Sequence, residues 1–295
     1  MKKLIGIAVF MLGFNCFSQK NKLVAFEDSL TLQRKATLKT KNDEQRLKAN
    51  NNFIKTLERA LQQEKSFEHS FDSVPYTAFL MSKDKKFRII NWNVPFDNGS
   101  HRYFCFIQLY SKKSKCYETY QINDYSEQLT NPEYKSLNSK TWFGALYYEI
   151  IPQKTGKKSW YTLLGWDGND NLSNKKVIDV LSFAANGQPK FGTAIFKTKK
   201  DTKRRVIFEY SEDAMMSVRY HPKKNQIVFD HLSPRQPQLE GEYQFYGPDF
   251  TYDAFEWQKN KWVLLENIEI TNEYDAIYNP ELKSEEKKIY EPKNR

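Results

Sequence analysis

The chain has 295 residues, of which 39% are hydrophobic and 15% aromatic, and its formal net charge is +10 at pH 7. This apolar content excludes a disordered chain, and a total of three cysteines excludes the disulfide-rich framework of small secreted proteins. The basic balance favours attraction to an anionic partner, such as an acidic glycan or a lipid surface.

The N-terminus has the pattern of a secretory signal peptide. Lys2 and Lys3 precede an apolar run over residues 4–14. The 11 residues of this run are too few to cross a membrane, which needs about 20. No later segment is as long and as apolar as a membrane span, so we expect export without a transmembrane helix.

Small side chains at Cys16 and Ser18 suit cleavage before Gln19, which would remove residues 1–18 and leave a net charge of +8. The alternative is a lipoprotein anchored through Cys16. Residues 13–15 lack the small aliphatic pattern that precedes a lipidation site. We therefore expect a periplasmic or secreted protein that is not lipid-anchored, for which nucleic acid is not a natural partner.

Residues 19–73 are predicted to be a helical segment. Apolar side chains recur there at helical spacing, at Leu47, Ile54, Leu57 and Leu61. Asn42 is a candidate N-cap, with Gln45 three residues later as in a capping box. We expect an amphipathic helix over residues 43–66 that packs on the rest of the chain, preceded by a looser helical turn around residues 26–38. The alternative is a partner-binding coiled coil.

From residue 74 to residue 272 the sequence predicts an antiparallel β domain. Short runs rich in Phe, Tyr, Ile and Val recur roughly every 8–12 residues and leave no room for helical crossovers. Tight turns are predicted at Asn98-Gly99, Asp167-Gly168 and Asn186-Gly187. The predicted strands cover residues 75–82, 87–94, 101–110, 115–123, 142–151, 159–166, 175–184, 191–197, 204–211, 214–221, 225–231, 250–257 and 262–270. Residues 124–141 are predicted to be an irregular insert and residues 273–295 a polar tail.

Aromatic residues give a hint of repetition along this domain. Trp92, Trp166, Tyr210 and Trp257 each end a predicted strand, and the last two separations, 44 and 47 residues, match a propeller blade. Any β-meander also places aromatic residues near strand ends. We therefore favour an all-β antiparallel meander resembling an irregular propeller, with a large sandwich or barrel as the second choice.

Only Cys105 and Cys116 remain after signal cleavage, on either side of a predicted hairpin turn. If Tyr110 pairs with Lys115, the two cysteines lie about 13 Å apart along the strand, and a disulfide tolerates roughly 7 Å between Cα atoms. A different turn would allow a bridge, so the sequence leaves the pairing open.

Five stretches resemble an uncharacterised family of exported proteins from Bacteroidetes-type bacteria. They are FRIINWNVP (87–95), WFGALYYEIIP (142–152), YTLLGWDGND (161–170), VFDHLSP (228–234) and YQFYGPDF (243–250). The end of the signal peptide, Phe17-Ser18-Gln19, is also typical of that family. The resemblance covers roughly residues 75–270 and implies a shared fold, but it brings no known activity.

Asp167, Asn169 and Asn171 place oxygen-bearing side chains at alternating positions, as at the start of a calcium loop. Such a loop needs glycine at its sixth position and glutamate at its twelfth, where this chain has Leu172 and Ile178. An Asp-Gly hairpin turn explains the same residues, so calcium binding is the alternative interpretation of this motif.

Histidines and carboxylates give no complete catalytic motif. His221 should pair with about Gln226 across a turn, which leaves His231 too far along the next strand to share a metal. Asp230 cannot orient His231, because adjacent side chains in a strand point to opposite faces.

A glycosidase needs two carboxylates within roughly 5–10 Å of each other. Asp167 and Asp249 are the candidates, but nothing in the chain order brings them together. Asp249 and Asp253 share a strand face, yet they stand about 13 Å apart along it. A hydrolase acting on an extracellular polymer is therefore the alternative function.

A basic run is predicted to be the surface for an anionic partner. Its members are Lys197, Lys199, Lys200, Lys203, Arg204 and Arg205, with Asp201 among them. The plainer interpretation is a charged hairpin tip that keeps the protein soluble and protects a sheet edge.

Taken together, these patterns predict an exported soluble protein that is a non-catalytic binding or structural module of the cell envelope, with no cofactor. The candidate partners are an anionic glycan, a lipid surface or an envelope protein. A subunit of an envelope complex that docks through its N-terminal helix is the remaining alternative.

Overall fold

The computed structural model describes residues 22–156 and 158–269. The predicted signal peptide and polar tail therefore lie outside the described residues. Two helices come first, α1 over residues 22–39 and α2 over Asp43–Leu61. Within the described ranges, no helix has the length and apolar character needed to cross a bilayer.

Strands make up most of the remaining regular structure. They are β1 (Ala78–Met81), β2 (Phe87–Pro95), β3 (His101–Ser111), β4 (Cys116–Asn123), β5 (Leu137–Asn138), β6 (Leu146–Thr155), β7 (Lys158–Asp167), β8 (Ser173–Phe183), β9 (Pro189–Phe191), β10 (Phe196–Lys197), β11 (Thr202–Lys203), β12 (Val206–Ser211), β13 (Val218–His221), β14 (Gln226–Pro234), β15 (Tyr246–Gln258) and β16 (Lys261–Leu265).

These strands form three sheets. The first has the order β1-β2-β3-β4, the second β5-β9-β8-β7-β6 with β12 paired to β8, and the third β11-β10-β16-β15-β14-β13. Among the strand pairs that the structure describes, β10 with β16 is the one parallel pair. The predicted all-β antiparallel architecture is therefore confirmed.

The structure does not confirm the favoured propeller. The aromatic residues that suggested a repeat lie in β2, β7, β12 and β15, at Trp92, Trp166, Tyr210 and Trp257. These strands belong to sheets of different size and strand order, not to equal four-stranded blades. The apparent period therefore reflects aromatic residues near strand ends, which any antiparallel meander produces.

Most predicted strands agree with the structure to within a few residues, and the main exception is the strand predicted over 191–197. Gly192 interrupts it, with φ of +78°, and a Cβ there would lie 2.6 Å from the carbonyl oxygen of Lys135. Glycine allows both the left-handed backbone and this close approach. The chain therefore forms two short strands, β9 and β10, instead of one.

Helix α2 begins where its sequence signal places it and ends earlier than expected. The Asn42 side chain accepts a hydrogen bond from the N–H of Gln45, at 3.1 Å. The helix ends at Leu61, and Arg88 of the first sheet contacts the loop that follows it. The guanidinium of Arg88 donates to the carbonyl oxygens of Ser66 and His69, each at 2.7 Å.

Both helices pack against the first sheet. Leu30 of α1 and Phe53 of α2 are fully buried in one cluster with Ile90 and Trp92 of β2. The indole of Trp92 also donates to the side-chain oxygen of Asn50, at 2.8 Å. Side chains of both helices thus share one hydrophobic cluster with β2.

The second sheet is the middle layer of the molecule. One face packs on the first sheet, where Leu163 and Val177 meet Phe87 and Ile89. The other face packs on the third sheet in a separate cluster that includes Leu164. Side chains on the two faces of β7 and β8 therefore belong to two different sheet interfaces.

The structure shows no disulfide between Cys105 and Cys116. Both thiols are free, with Cys105 buried and Cys116 exposed. Ser111 pairs with Cys116 and Cys105 pairs with Ile122, so the register differs by two residues from the predicted one. This register places the two cysteines six residues apart along the ladder, which keeps them from bridging.

Candidate functional site

The carboxylate of Asp167 lies buried between the first and second sheets. The hydroxyl of Tyr103 donates to it at 2.7 Å, and the N–H of Gly168 donates to that hydroxyl at 2.8 Å. Burial raises the pKa of Asp167, although the hydrogen bonds from the Tyr103 hydroxyl and the N–H of Asn169 oppose the shift. Burial also lowers the pKa of the neighbouring His101, against the charge of Asp167. The hydrogen bond between Tyr103 and Asp167 links β3 to β7. The sequence analysis identified neither Tyr103 nor His101 as part of this site.

The predicted calcium-ligating side chains all have protein partners. The side-chain oxygen of Asn169 accepts a hydrogen bond from the ammonium of Lys175, at 2.6 Å. The amide of Asn171 donates to the carbonyl oxygen of Asn98, at 3.1 Å. In the part of the chain that the structure describes, no group of three or more His, Cys, Asp or Glu side chains is placed to hold a metal. The ammonium of Lys175 therefore places a positive charge at the turn for which calcium was considered.

Asp249 is exposed on a bulge of β15, in a different sheet from Asp167. Asp230 pairs with Tyr252 and Leu232 pairs with Pro248, so residues 249–251 stand opposite the single residue His231. Asp249 accepts hydrogen bonds from the hydroxyl and N–H of Thr251, at 2.7 Å and 3.0 Å. No hydrogen bond or ion pair within the described ranges links it to Asp167. The two carboxylates proposed for a hydrolase therefore belong to separate surroundings.

The same bulge brings together a histidine and a carboxylate that sequence reasoning kept apart. Nδ1 of His231 lies 2.8 Å from a carboxylate oxygen of Asp253. This hydrogen bond is the main cause of a raised His231 pKa, while partial burial opposes it. Asp253 lies on β15, and His231 lies on the neighbouring strand β14. Their contact can be found only when the register and the bulge between these two strands are known.

Carboxylates of the protein itself pair with three of the six basic residues in the predicted anionic-partner surface. The inclusion of Arg205 in that surface is wrong. The Arg205 side chain is fully buried and forms an ion pair with the equally buried Asp179, at 3.0 Å. Lys203 pairs with Glu133 at 2.7 Å, and Lys199 pairs with Glu266.

The other three members of that run differ in exposure. The guanidinium of Arg204, which is half-buried, donates to the carbonyl oxygen of Gly192 at 3.2 Å. Lys197 and Lys200 are exposed. These two lysines are the members of the run best placed to meet a partner.

A different pair of cations, Lys176 and Arg219, forms no ion pair within the described part of the chain. Lys176 lies two residues before the buried Ile178, on the face of β8 that meets the third sheet. Its ammonium stands 5.2 Å from the ring centroid of Tyr148, whose hydroxyl donates to the carbonyl oxygen of Val218 at 2.9 Å. Arg219 is the next residue of β13. Burial lowers the pKa of Lys176, and the charge of Arg219 lowers it further.

Arg219 also lines a cavity of about 300 Å³ on the third sheet. The cavity wall also includes His221, Asp230 and Tyr252. Tyr148, beside Lys176, is 41% exposed. Among the described residues, neither Lys176 nor Arg219 forms an ion pair. We call Tyr148, Lys176, Arg219 and Tyr252 the cationic site.

No protein-family model, curated protein or solved structure matches this chain. The interpretation of the cationic site therefore depends on its own geometry and charge.

Sequence reasoning missed the cationic site because its members are distant along the chain. Lys176 and Arg219 belong to strands of different sheets, and neither is part of a basic run. Tyr148 is displaced by a bulge in β6, where Tyr147 pairs with Gly165 but Glu149 already pairs with Leu164. Local spacing encodes neither the packing of two sheets nor the position of a bulge.

Proposed function

We propose that this protein is an exported, non-catalytic binding module for an anionic glycan. The observation that supports the proposal is the closeness of Lys176 and Arg219, two like charges that form no ion pair among the described residues. Such cations repel each other, and an anionic group that contacts both relieves the repulsion. The signal pattern at residues 1–18 and the resemblance to exported proteins support the proposed location.

The side chains around the two cations suit a carboxylate on a sugar ring. The planar guanidinium of Arg219 can bind a carboxylate through two parallel hydrogen bonds. Tyr148 and Tyr252 offer ring surface with a polar end beside it, a combination that suits a ligand with apolar and hydroxylated faces. An oligosaccharide that contains uronic acid is therefore the ligand class that fits best.

The carboxylates beside two exposed apolar side chains favour a glycan over a lipid surface. Met215 and Phe250 are 90% and 91% exposed, so both could reach a bilayer. Each is flanked by a carboxylate, Asp213 and Asp249 respectively. Anionic head groups would repel these carboxylates, which opposes insertion into an anionic membrane.

The proposal is tested by calorimetric titration of the protein with an oligouronate and with the same oligosaccharide after reduction of its carboxyl groups. We expect the oligouronate to bind and the neutral form to bind at least about tenfold more weakly, because charge-assisted hydrogen bonds are lost. Arg219→Ala and Lys176→Met should each weaken binding about tenfold, by the same argument. Lys197→Ala, in the basic run, is the matched control and should leave the affinity unchanged.

Three results would overturn the proposal. Equal affinity for the neutral form would show that the two cations do not contribute to binding. Binding to vesicles of anionic lipid, without binding to the oligouronate, would favour a membrane surface instead. Shortening of the oligouronate during the titration would contradict a non-catalytic role.

A further inference from the structure

The chain segment that follows β16 is held to β15 by a buried carboxylate. One oxygen of Asp253 accepts a hydrogen bond from the N–H of Asn267 at 2.8 Å, and its other oxygen lies 2.8 Å from Nδ1 of His231. The N–H of Ile268 donates to the carbonyl oxygen of Tyr252, also at 2.8 Å. These contacts fasten residues 266–268 where the chain leaves the third sheet.

His231 is the member of this group that solvent protons reach. Its side chain is 45% exposed, while that of Asp253 is 9% exposed. Within the described ranges, Nδ1 makes the hydrogen bond to Asp253 and no hydrogen bond involves Nε2. A proton can therefore enter or leave the ring at Nε2 while Nδ1 keeps its hydrogen bond to Asp253.

The charged groups around His231 come from four places in the chain. Asp253 and Asp249 belong to β15, and Glu266 follows β16; all three act to raise its pKa. Lys199, on the turn after β10, is paired with Glu266. Asp230, the residue before His231 in β14, accepts a hydrogen bond from the N–H of Ser217 at 2.7 Å.

We infer that His231 and Asp253 form a proton-operated latch on residues 266–268. When His231 is protonated, its contact with Asp253 is an ion pair that fixes the carboxylate toward the N–H of Asn267. When the proton leaves, Nδ1–H still donates, but the charge that strengthens the contact is lost. The segment then opens more often.

The direction of the pH dependence follows from the raised pKa of His231. A raised value in the folded protein means that the latch is fully closed below the ordinary histidine pKa of about 6.5. The stabilisation is then lost as the pH rises through the raised value. Tyr252 holds Ile268 through its carbonyl and lines the cavity of the cationic site, so the latch also fixes one wall of that cavity.

Hydrogen–deuterium exchange of the full chain between pH 5.5 and pH 8.5 tests the latch, with rates corrected for intrinsic exchange. We expect protection of the Asn267 and Ile268 amides to fall about threefold to tenfold across this range, as the ion pair is lost. His231→Gln keeps an N–H donor but no titrating ring, and it should remove the pH dependence. His221→Gln, an exposed histidine in the same sheet, is the control and should retain it.

A second measurement keeps the test independent of folding defects. The His231 pKa, followed by NMR in the wild type, should lie above the ordinary value and fall toward it in Asp253→Asn. Protection that does not change with pH, or a His231→Gln protein with the wild-type pH profile, would overturn the latch. Neither outcome depends on whether a glycan binds, so the latch and the proposed function fail separately.

Discussion

Arg205 and Asp179 form a two-contact ion pair at a position with no solvent exposure. The guanidinium reaches one carboxylate oxygen at 3.0 Å and the other at 3.2 Å, and both side chains are 0% exposed. A further contact joins Arg205 to the carbonyl oxygen of Lys135, at 3.3 Å. The charge of Arg205 therefore fastens the irregular insert at 124–141 to β8 and does not face a ligand.

Asp179→Asn should destabilise the protein by about 3–5 kcal/mol, because it leaves the buried guanidinium of Arg205 without its counter-charge. The free energy of unfolding in urea measures this loss. Lys197→Ala removes an exposed charge from the same basic run and should change stability by less than about 0.5 kcal/mol. An equal effect of the two substitutions would contradict the buried pair.

Thr162→Val tests the polar link between the second and third sheets. The Trp262 indole donates to the Thr162 hydroxyl at 2.9 Å, and that hydroxyl donates to the side chain of Gln153 at 3.1 Å. Loss of the hydroxyl leaves a buried indole N–H without an acceptor, which should cost about 1–3 kcal/mol of unfolding free energy. Thr119→Val on the exposed strand β4 is the control, and an equal loss there would refute the explanation.

Gly168→Ala should destabilise the turn after β7 by about 1–3 kcal/mol, because overpacking forces neighbouring groups to move. A Cβ at Gly168 would lie 2.5 Å from Nε2 of His101 and 2.7 Å from the ring of Trp166. Gly247→Ala is the matched control, since its nearest new contact would be an ordinary 3.6 Å to Ala214. Thermal unfolding distinguishes the two variants, and identical melting temperatures would contradict the close approach of His101.

Phe53→Ala tests whether the helical segment is part of the β domain. Phe53 is fully buried and its ring centroid is 5.0 Å from that of Trp92. Truncation should cost about 3–5 kcal/mol of unfolding free energy through lost burial and a cavity. Leu32→Ala, at a position that is 70% exposed, should be nearly neutral. A helix that serves only to dock on a partner would leave the isolated Phe53→Ala protein as stable as the wild type.

Local signals in the sequence were sufficient for the strands and for one helix cap. The runs rich in aromatic and β-branched residues correspond to β2, β3, β7 and β14, and Asn42 caps α2. The sequence did not show which strands become neighbours. The pairs Lys203–Glu133 and Lys199–Glu266 join residues about 70 positions apart, through strand pairings that local spacing does not encode.

The candidate sites depended on the same missing information. His231 and Asp253 meet because a bulge changes the register of β14 and β15, and Lys176 approaches Arg219 because two sheets pack together. The basic run was prominent in the sequence because its members are consecutive. Consecutive charges, however, say nothing about the carboxylates that neutralise them.

A crystal structure of the complex with the oligouronate used in the titration tests the central claim most directly. We predict a carboxylate of the ligand within hydrogen-bonding distance of the Arg219 guanidinium, with the Lys176 ammonium on the same carboxylate and a sugar ring against Tyr148. A ligand bound at the exposed Lys197–Lys200 turn, with Arg219 making no contact, would contradict the account.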